Sequence, residues 1–290
     1  MNIDVAVVGG GAAGLTAAMY TARAGLKTVA FAATYGGQTV NAAKIENYPG
    51  IIETDGFTLM ETVRRQAEKS GAEIKSETVT NIDFDEMTVN GTKCRAIILA
   101  MGTEHRKLGL DGEEALTGRG ISYCAACDGN FFRGKTVVVA GGGNTAVFDA
   151  IYLSKLCKKV FVVHRRNAFR AEPAAVEKLK NAENVEFVLN SNITEFLQKD
   201  GRLSGVRTET REIECDGLFV AIGSMPADGL VKGMLETDGG GIKVNARMET
   251  SRKGVFAAGD VTNTNQRQII TAAGDGAKAA KSAIEYLQKI

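Results

Sequence analysis

The strongest constraint on the fold is a unit that occurs twice: a short apolar strand, a glycine turn and a helix. Asp4-Val5-Ala6-Val7-Val8 has the continuous apolar character of a buried parallel strand and runs into Gly9-Gly10-Gly11-Ala12-Ala13-Gly14. A helix to about Ala24 and a strand over Lys27 to Ala32 come next. In that setting G-x-G-x-x-G is a dinucleotide fingerprint: Gly9 makes the turn, Gly11 admits a pyrophosphate to the backbone, and Gly14 lets helix pack on strand. The helix start at Ala12 and Ala13 offers free N–H groups and partial positive charge to the phosphates. Thr136 to Ala140 repeats the strand, and Gly141-Gly142-Gly143-Asn144-Thr145-Ala146 repeats the turn as G-x-G-x-x-A. A helix to about Cys157 and a strand over Val160 to Val163 complete the second copy. Two copies in 290 residues predict an α/β chain of two Rossmann-like dinucleotide-binding domains, and 34 glycines against three prolines suit its tight turns.

The two copies differ just past their second strands. An acidic residue there would hold an adenosine ribose, but the first copy ends Phe31-Ala32-Ala33-Thr34-Tyr35. The second ends His164-Arg165-Arg166, with Arg170 shortly after. Guanidiniums in that place suit a 2′-phosphate, so NADPH and not NADH is expected at the second turn. A solvated basic cluster is the other interpretation.

Between these landmarks a helix is predicted over Gly56 to Ser70, and strands over Glu73 to Thr80, Ile82 to Val89 and Thr92 to Ala100. Asn90-Gly91 is a hairpin signal between the last two. Buried strands end in glycine at Gly102 and again at Ile222-Gly223. Val185 to Leu189, Arg202 to Thr208 and Glu212 to Cys215 are expected as short antiparallel strands, and Asp238-Gly239-Gly240-Gly241 as a domain boundary. The strand over Val255 to Ala258 delivers Gly259 and Asp260 to the carboxyl edge, where doubly wound sheets bind ligands. A last helix over about Thr271 to Leu287 opens with small residues that would let a flat group approach.

Cys124-Ala125-Ala126-Cys127-Asp128-Gly129 lies just before the second copy. C-x-x-C fits a redox pair or half a zinc site. Zinc needs four ligands, and with Cys94, Cys157 and Cys215 isolated and two His in the chain, redox chemistry is favoured and no metal is expected. Asp128 is the candidate to hand a proton to a departing sulfur, a turn cap being its alternative role. Lys+Arg 35 against Asp+Glu 34 gives no reason to expect nucleic acid or an anionic membrane surface. No apolar run approaches a membrane span. The opening Met1-Asn2-Ile3-Asp4 has no basic stretch or cleavage site, and five cysteines with one close pair are no secreted framework, so a cytoplasmic setting is expected.

Taken together these segments resemble the low-molecular-weight, bacterial-type NADPH-dependent thioredoxin reductases over essentially the full length. The resemblance rests on both glycine turns, Gly36-Gly37-Gln38, Glu46-Asn47-Tyr48-Pro49-Gly50, CAACDG, HRRNAFRA from His164, and Phe256 to Asp260 with Arg267-Gln268. It implies FAD on the first turn, near Gly36, Gly37, Gln38, Asn47, Val79, Gly102, Gly259, Asp260, Arg267, Gln268 and Ile269. It implies NADPH at Gly141, Gly143, Asn144, Thr145, Ala146, His164, Arg165, Arg166, Arg170, Ile222 and Gly223. The NADPH domain, 111–245, would be inserted into a discontinuous FAD domain, 1–110 and 246–290. Cys127 would be the flavin-proximal sulfur, Cys124 the attacker of thioredoxin's disulfide and Asp128 the acid/base, in a homodimer. Since cysteines and nicotinamide both need the flavin, domain rotation is expected about joints near Leu110 to Glu114 and Gly239 to Ala246. Ala126 stands where the family commonly has Thr, the turn after the second strand is shortened, and the NADPH domain is trimmed near Val206 to Glu212. The alternative is a related flavin-dependent dithiol/disulfide oxidoreductase with another electron donor or another thioredoxin-like partner.

Overall fold

The apolar N-terminal run forms β1 (Val5–Gly10), buried along nearly its whole length in a computed structural model that describes residues 3–42, 45–264 and 266–289. The chain continues through α1 (Ala12–Arg23), β2 (Thr28–Tyr35), α2 (Gly56–Lys69) and β3 (Glu73–Lys75). Next come three short strands, β4 (Ile82–Asp83), β5 (Thr88–Val89) and β6 (Thr92–Lys93), then β7 (Ala96–Leu99) and β8 (Thr103–His105). Asp55 caps α2, its carboxylate accepting the Thr58 N–H at 2.8 Å and the Thr58 hydroxyl at 2.6 Å.

The second stretch holds α3 (Glu113–Leu116), β9 (Ile121–Ser122), α4 (Ala125–Asp128), β10 (Thr136–Ala140), α5 (Asn144–Ser154) and β11 (Lys159–His164). It goes on through α6 (Pro173–Lys180), β12 (Val185–Leu189), β13 (Ile193–Lys199), β14 (Arg202–Thr208), β15 (Glu212–Glu214) and β16 (Gly217–Val220). The last stretch holds β17 (Ser224–Pro226), β18 (Thr237–Asp238), β19 (Gly241–Ile242), β20 (Val255–Ala257) and α7 (Ile269–Leu287).

Contacts divide the chain into one unit of Met1–Glu104 with Met225–Ile290 and another of His105–Ser224. Among the described residues the first unit holds a parallel sheet in the order β20-β7-β1-β2-β3, the second one in the order β12-β11-β10-β16-β9. Reversed, the second order matches the first strand for strand, with β10 in the place of β1. Each unit also inserts a small three-stranded antiparallel sheet at the corresponding place in the repeat, between β3 and β7 in the first unit and between β12 and β16 in the second. The internal repeat thus reaches far beyond the glycine turns. Alanines of α1 pack on one face of the first sheet with Ala279, Ala280 and Ala283 of α7. Ile97 and Leu99 turn to the opposite face. The second unit repeats the division, with Val137 and Val139 facing α5 and Val138 facing the antiparallel strands.

Several expectations need correction. Val185–Leu189 is a strand, but it pairs parallel with β11, because it completes the repeat as β3 does in the first unit. β13, antiparallel to β14, was not foreseen; its burial alternates irregularly across register shifts, which blurs the period-two signal. The strand expected over Ile82 to Val89 is interrupted where the Asp83 carboxylate accepts the backbone N–H groups of Asp85 and Glu86. That expected over Glu73 to Thr80 stops at Lys75, and the Asn90 side chain holds the rest as a loop by accepting the N–H groups of Thr80 and Asn81. Asp238 to Gly241 is no boundary: it turns the β18–β19 hairpin inside the first unit. The chain crosses between units after Glu104 and after Ser224, not at 110/111 and 245/246, and outside the joints expected for rotation. Residues 225–245 stay with the first unit because Ile242 bridges Thr262 and Val231 packs in that unit's core. No helix among the described residues is long and apolar enough to cross a membrane.

Candidate functional site

In the first unit β1 ends in a turn whose three key glycines do different jobs. Gly9 has φ +114°, and a Cβ there would stand 2.2 Å from the Ala100 carbonyl oxygen. A Cβ on Gly14 would stand 1.9 Å from the Gly9 carbonyl oxygen, so helix and strand touch through bare backbone. Gly11 faces open space, its nearest neighbour being the Gly37 Cα at 3.9 Å, and it caps α1 without a side-chain bond. The first-turn N–H groups of α1 therefore face a cleft, as phosphate binding requires.

That cleft measures about 920 Å³, near the top of the ~300–1,000 Å³ range of ligand pockets. Gly9, Gly11, Ala12 and Ala13 line it from the turn, and Gly36, Gly37 and Gln38 from the end of β2. Val79 and Gly102 close its sides, and Asp260, Arg267, Gln268 and Ile269 come from the carboxyl edge. Gly14 and Gly259 lie outside the lining; a Cβ on Gly259 would come within 2.9 Å of Ala13 Cβ, so both serve packing. Asn47 acts through a neighbour, its amide donating to Gln268 Oε1 at 3.0 Å. The Gln38 amide donates to the carbonyl and hydroxyl of Thr103. Burial raises the Asp260 carboxyl above its ordinary value; Arg267 opposes the shift and Asp275 adds to it. The apolar walls, the open Gly11 and the few converging polar groups fit a dinucleotide-sized flavin cofactor.

Thr34 stands where the acidic residue is missing, and Glu77 beyond β3 lines the same cleft, its Oε1 accepting the Asn90 amide at 2.6 Å. Ala227, Gly229 and Leu230 also line it and were missed, because no residue pattern marks the point at which the chain returns to the first unit. The small residues opening α7 have a divided role. Ala272 reaches the cleft, but Gly276 is there so that α7 can meet α1, its would-be Cβ falling 2.1 Å from the Ala13 carbonyl oxygen.

The second turn repeats the geometry. Gly141 has φ +146° with a would-be Cβ 2.3 Å from the Ala221 carbonyl oxygen, the counterpart of Gly9 against Ala100. Ala146 is fully buried in the place of Gly14, and Gly143 faces open space as Gly11 does. Thr145 is exposed, and Asn144 Oδ1 accepts the Glu172 N–H at 2.8 Å. Arg165, Arg166 and Arg170 are exposed and have no carboxylate partner among the described residues. His164 is turned inward, 7% exposed, stacked on Phe169 and filling the space beside Gly142, with its Nε2 unpartnered. Burial holds its imidazole below the ordinary range. It supports the turn from beneath, whereas the arginines face outward. Gly223 has open surroundings, and Ile222 beside it is half-buried against the core.

Burial pushes Asp149, on α5, from an ordinary 3.8 up to about 7. A carboxyl raised in the folded state loses its proton first in the unfolded chain, so stability falls as pH rises from about 4 to 7. Asp149→Asn is expected to stabilise the protein by about 2–4 kcal/mol at pH 8. The gain should shrink steadily toward pH 4, which urea unfolding at a series of pH values would measure.

Cys124 and Cys127 form a disulfide around the start of α4, with Cα atoms 5.3 Å apart. Cys124 caps the helix, its Sγ accepting the Cys127 N–H at 3.2 Å. Cys127 is exposed and Cys124 half-buried. The neighbouring Tyr123 is tied to a buried carboxylate: its hydroxyl donates to Glu113 at 2.7 Å, and Glu113 also accepts the N–H groups of Leu108 and Gly109. Asp128 accepts a 2.6 Å hydrogen bond from the Ser122 hydroxyl, a partner that sequence spacing did not disclose. Phe131, four residues past Cys127, is 74% exposed and was also missed; its apolar side chain lacked any sequence mark of exposure. Cys94, Cys157 and Cys215 are buried, their thiols pushed up to about 12, 11 and 12 by desolvation, which leaves them unreactive near neutrality.

Residues 3–276 match the pyridine nucleotide-disulphide oxidoreductase family. The thioredoxin reductase of Streptomyces clavuligerus is 42% identical over 302 residues, covering 98% of this chain and 94% of that protein. The structure of Lactococcus lactis thioredoxin reductase in its FR conformation aligns with 99% of this chain and 100% of its own, at TM-score 0.89 and 36% identity. A ferredoxin-flavin thioredoxin reductase from Clostridium acetobutylicum aligns over 100% and 99%, at TM-score 0.55 and 32% identity.

Proposed function

The chain belongs to the pyridine nucleotide-disulphide oxidoreductase family, and from that premise we propose that it is a thioredoxin reductase, passing electrons from NADPH through FAD and the Cys124–Cys127 disulfide to oxidised thioredoxin. The observation that carries this reading is the C-x-x-C disulfide with an exposed sulfur and an adjacent carboxylate, in the same unit as a second, arginine-flanked glycine turn. The α1 N-terminus and Gly11 would hold the flavin's pyrophosphate, with Gln38, Asp260 and Gln268 as polar contacts. When bound, the flavin supplies the two-electron link between a nicotinamide hydride and a disulfide. The open Gly143 and the α5 N-terminus would take the pyrophosphate of NADPH, and Arg165, Arg166 and Arg170 its 2′-phosphate.

The work of the chain's own residues begins with cleavage of the Cys124–Cys127 bond by two electrons, Asp128 protonating a released sulfur. The Cys124 thiolate then attacks one sulfur of the partner's disulfide. The partner's other sulfur leaves as a thiolate and is protonated. Cys127 gives its proton to Asp128 and attacks Cys124 Sγ, re-forming the internal disulfide; the partner's second sulfur leaves as a thiolate and is protonated, releasing the partner as a dithiol. Phe131 offers the partner an apolar contact close to the reacting sulfurs. A homodimer and a cytoplasmic setting belong to the same proposal; the first unit exposes Ile52 and Phe57, apolar surface of a kind that a second copy covers.

Three unpaired guanidiniums favour NADPH over ferredoxin as donor, since a protein donor gives no use for a 2′-phosphate site. Rapid-mixing measurement of flavin bleaching by NADPH and NADH, followed by addition of thioredoxin, tests donor and acceptor separately. Bleaching by neither nucleotide, or no reoxidation by thioredoxin, overturns the proposal. Charge-assisted hydrogen bonds contribute roughly 1.5–3 kcal/mol each. Arg165→Gln with Arg166→Gln should therefore raise the KM for NADPH on the order of a hundredfold, with kcat and the KM for NADH little changed.

A further inference from the structure

Ser122 lies two residues before the redox pair, on β9, and is 5% exposed. Its backbone is fixed by the parallel pairing of β9 with β16, where Ser122 stands opposite Phe219. Its hydroxyl oxygen accepts the Cys124 N–H at 3.1 Å. The hydroxyl proton has two acceptors in reach, Asp128 Oδ2 at 2.6 Å and the Cys124 carbonyl at 3.3 Å. Asp128 in turn donates its own N–H to that carbonyl at 3.1 Å. One buried hydroxyl therefore joins the carboxylate to the backbone of the half-buried sulfur.

We propose that Ser122 is a positioning residue that holds the Asp128 carboxylate beside the disulfide and serves both of its protonation states. This rests on the role proposed above for Asp128. With Asp128 ionised, the Ser122 hydroxyl donates to Oδ2. With Asp128 protonated, the carboxylic acid donates to Ser122 Oγ, and the Ser122 proton turns to the Cys124 carbonyl. No heavy atom needs to move, so the proton can pass between Asp128 and a released sulfur without breaking up the network. A residue serving only as a strand anchor would not need a hydroxyl with two acceptors.

The titratable groups around this network are few. Cys124, Cys127 and Tyr123 share its segment; Tyr123 is bonded to Glu113 of α3 and stacked on His105 of β8, ring centroids 5.5 Å apart. α5, which packs on α4, carries Asp149 and Tyr152. β16, Gly217–Val220, carries none. All of these remain in a Ser122 variant, so a change in pH profile on substitution belongs to the hydroxyl.

The test uses FAD-loaded protein in three forms: native, Ser122→Ala, and Ser122→Thr, which keeps the hydroxyl. NADPH bleaching of the flavin is measured first and should stay within about twofold in all three, since the hydroxyl does not touch the nucleotide turn. Dithiol–disulfide interchange with thioredoxin should slow about tenfold in Ser122→Ala and recover in Ser122→Thr, one charge-assisted hydrogen bond being lost and restored. The pH profile of the interchange rate should change in Ser122→Ala and return toward the native one in Ser122→Thr, because the hydroxyl that meets the carboxylate is lost in the first and kept in the second. A second measurement needs neither nucleotide nor partner: alkylation of dithiothreitol-reduced protein by iodoacetamide, following Cys124 against pH by mass spectrometry. Its midpoint should move by about half a pH unit or more in Ser122→Ala and return in Ser122→Thr. The three buried thiols serve as slow internal controls. An unmoved midpoint together with an unchanged interchange rate, or equal loss in both variants, overturns the proposal. Failure of the native protein to reduce thioredoxin, with the alkylation shift intact, would instead count against the reductase assignment and leave the Ser122 network standing.

Discussion

Cys124→Ser and Cys127→Ser should each reduce thioredoxin at a rate lower by on the order of 10⁴ or more, the scale on which loss of a covalent nucleophile is felt. Both should still bleach with NADPH, because neither glycine turn is touched. The two variants are expected to fail differently. If Cys124 is the attacking sulfur, Cys127→Ser can form the mixed disulfide with thioredoxin but cannot resolve it. A covalent complex, sensitive to dithiothreitol, should then accumulate on a non-reducing gel. Cys124→Ser should form none. Exposure alone points the other way, since Cys127 is the more accessible sulfur. The assignment of Cys124 as attacker comes from the family pattern. A trapped complex with Cys124→Ser and none with Cys127→Ser would reverse the two roles. Trapping by neither would remove the pair from thioredoxin reduction.

The second large effect is expected in the first glycine turn, where two glycines of one motif should give opposite failures. Gly11 has extended backbone angles, φ −79° and ψ −172°, and its would-be Cβ meets nothing closer than 3.9 Å. Gly11→Val should therefore fold normally, with an unfolding temperature near that of native apoprotein, but purify colourless because the new side chain fills the phosphate path. Gly14 is opposite in kind. A Cβ 1.9 Å from the Gly9 carbonyl oxygen has no flexible neighbour to displace, so α1 must lift from β1. Overpacking costs typically ~1–3 kcal/mol even where side chains can give way, and here the loss should be larger. Gly14→Val is expected to accumulate as insoluble or partly unfolded protein. Circular dichroism with flavin absorbance separates the cases. A yellow, fully loaded Gly11→Val would show that the pyrophosphate does not pass that residue. A stable Gly14→Val would show that helix and strand are not in backbone contact.

Much of the candidate site could be foreseen because its signals are local. A turn that needs φ +114° selects glycine at Gly9 whatever surrounds it, and the apolar run before it becomes a buried strand in any parallel sheet. The cysteine spacing closes a small ring without distant help, and the arginines that follow β11 are a local pattern too, on which the proposed NADPH preference rests. The chain itself thus determined two glycine turns of dinucleotide-binding pattern, one closely spaced cysteine pair and an α/β class. Tertiary structure alone decided what depends on approach between distant segments. It made Val185–Leu189 parallel, kept residues 225–245 with the first unit, and turned His164 inward while its arginine neighbours face out. It also set apart Gly11 from Gly14, and brought the Ser122 hydroxyl to Asp128. The physical reason is that hydrophobic period and turn chemistry act over a few residues, whereas strand register and backbone contact are fixed only when the whole sheet has closed.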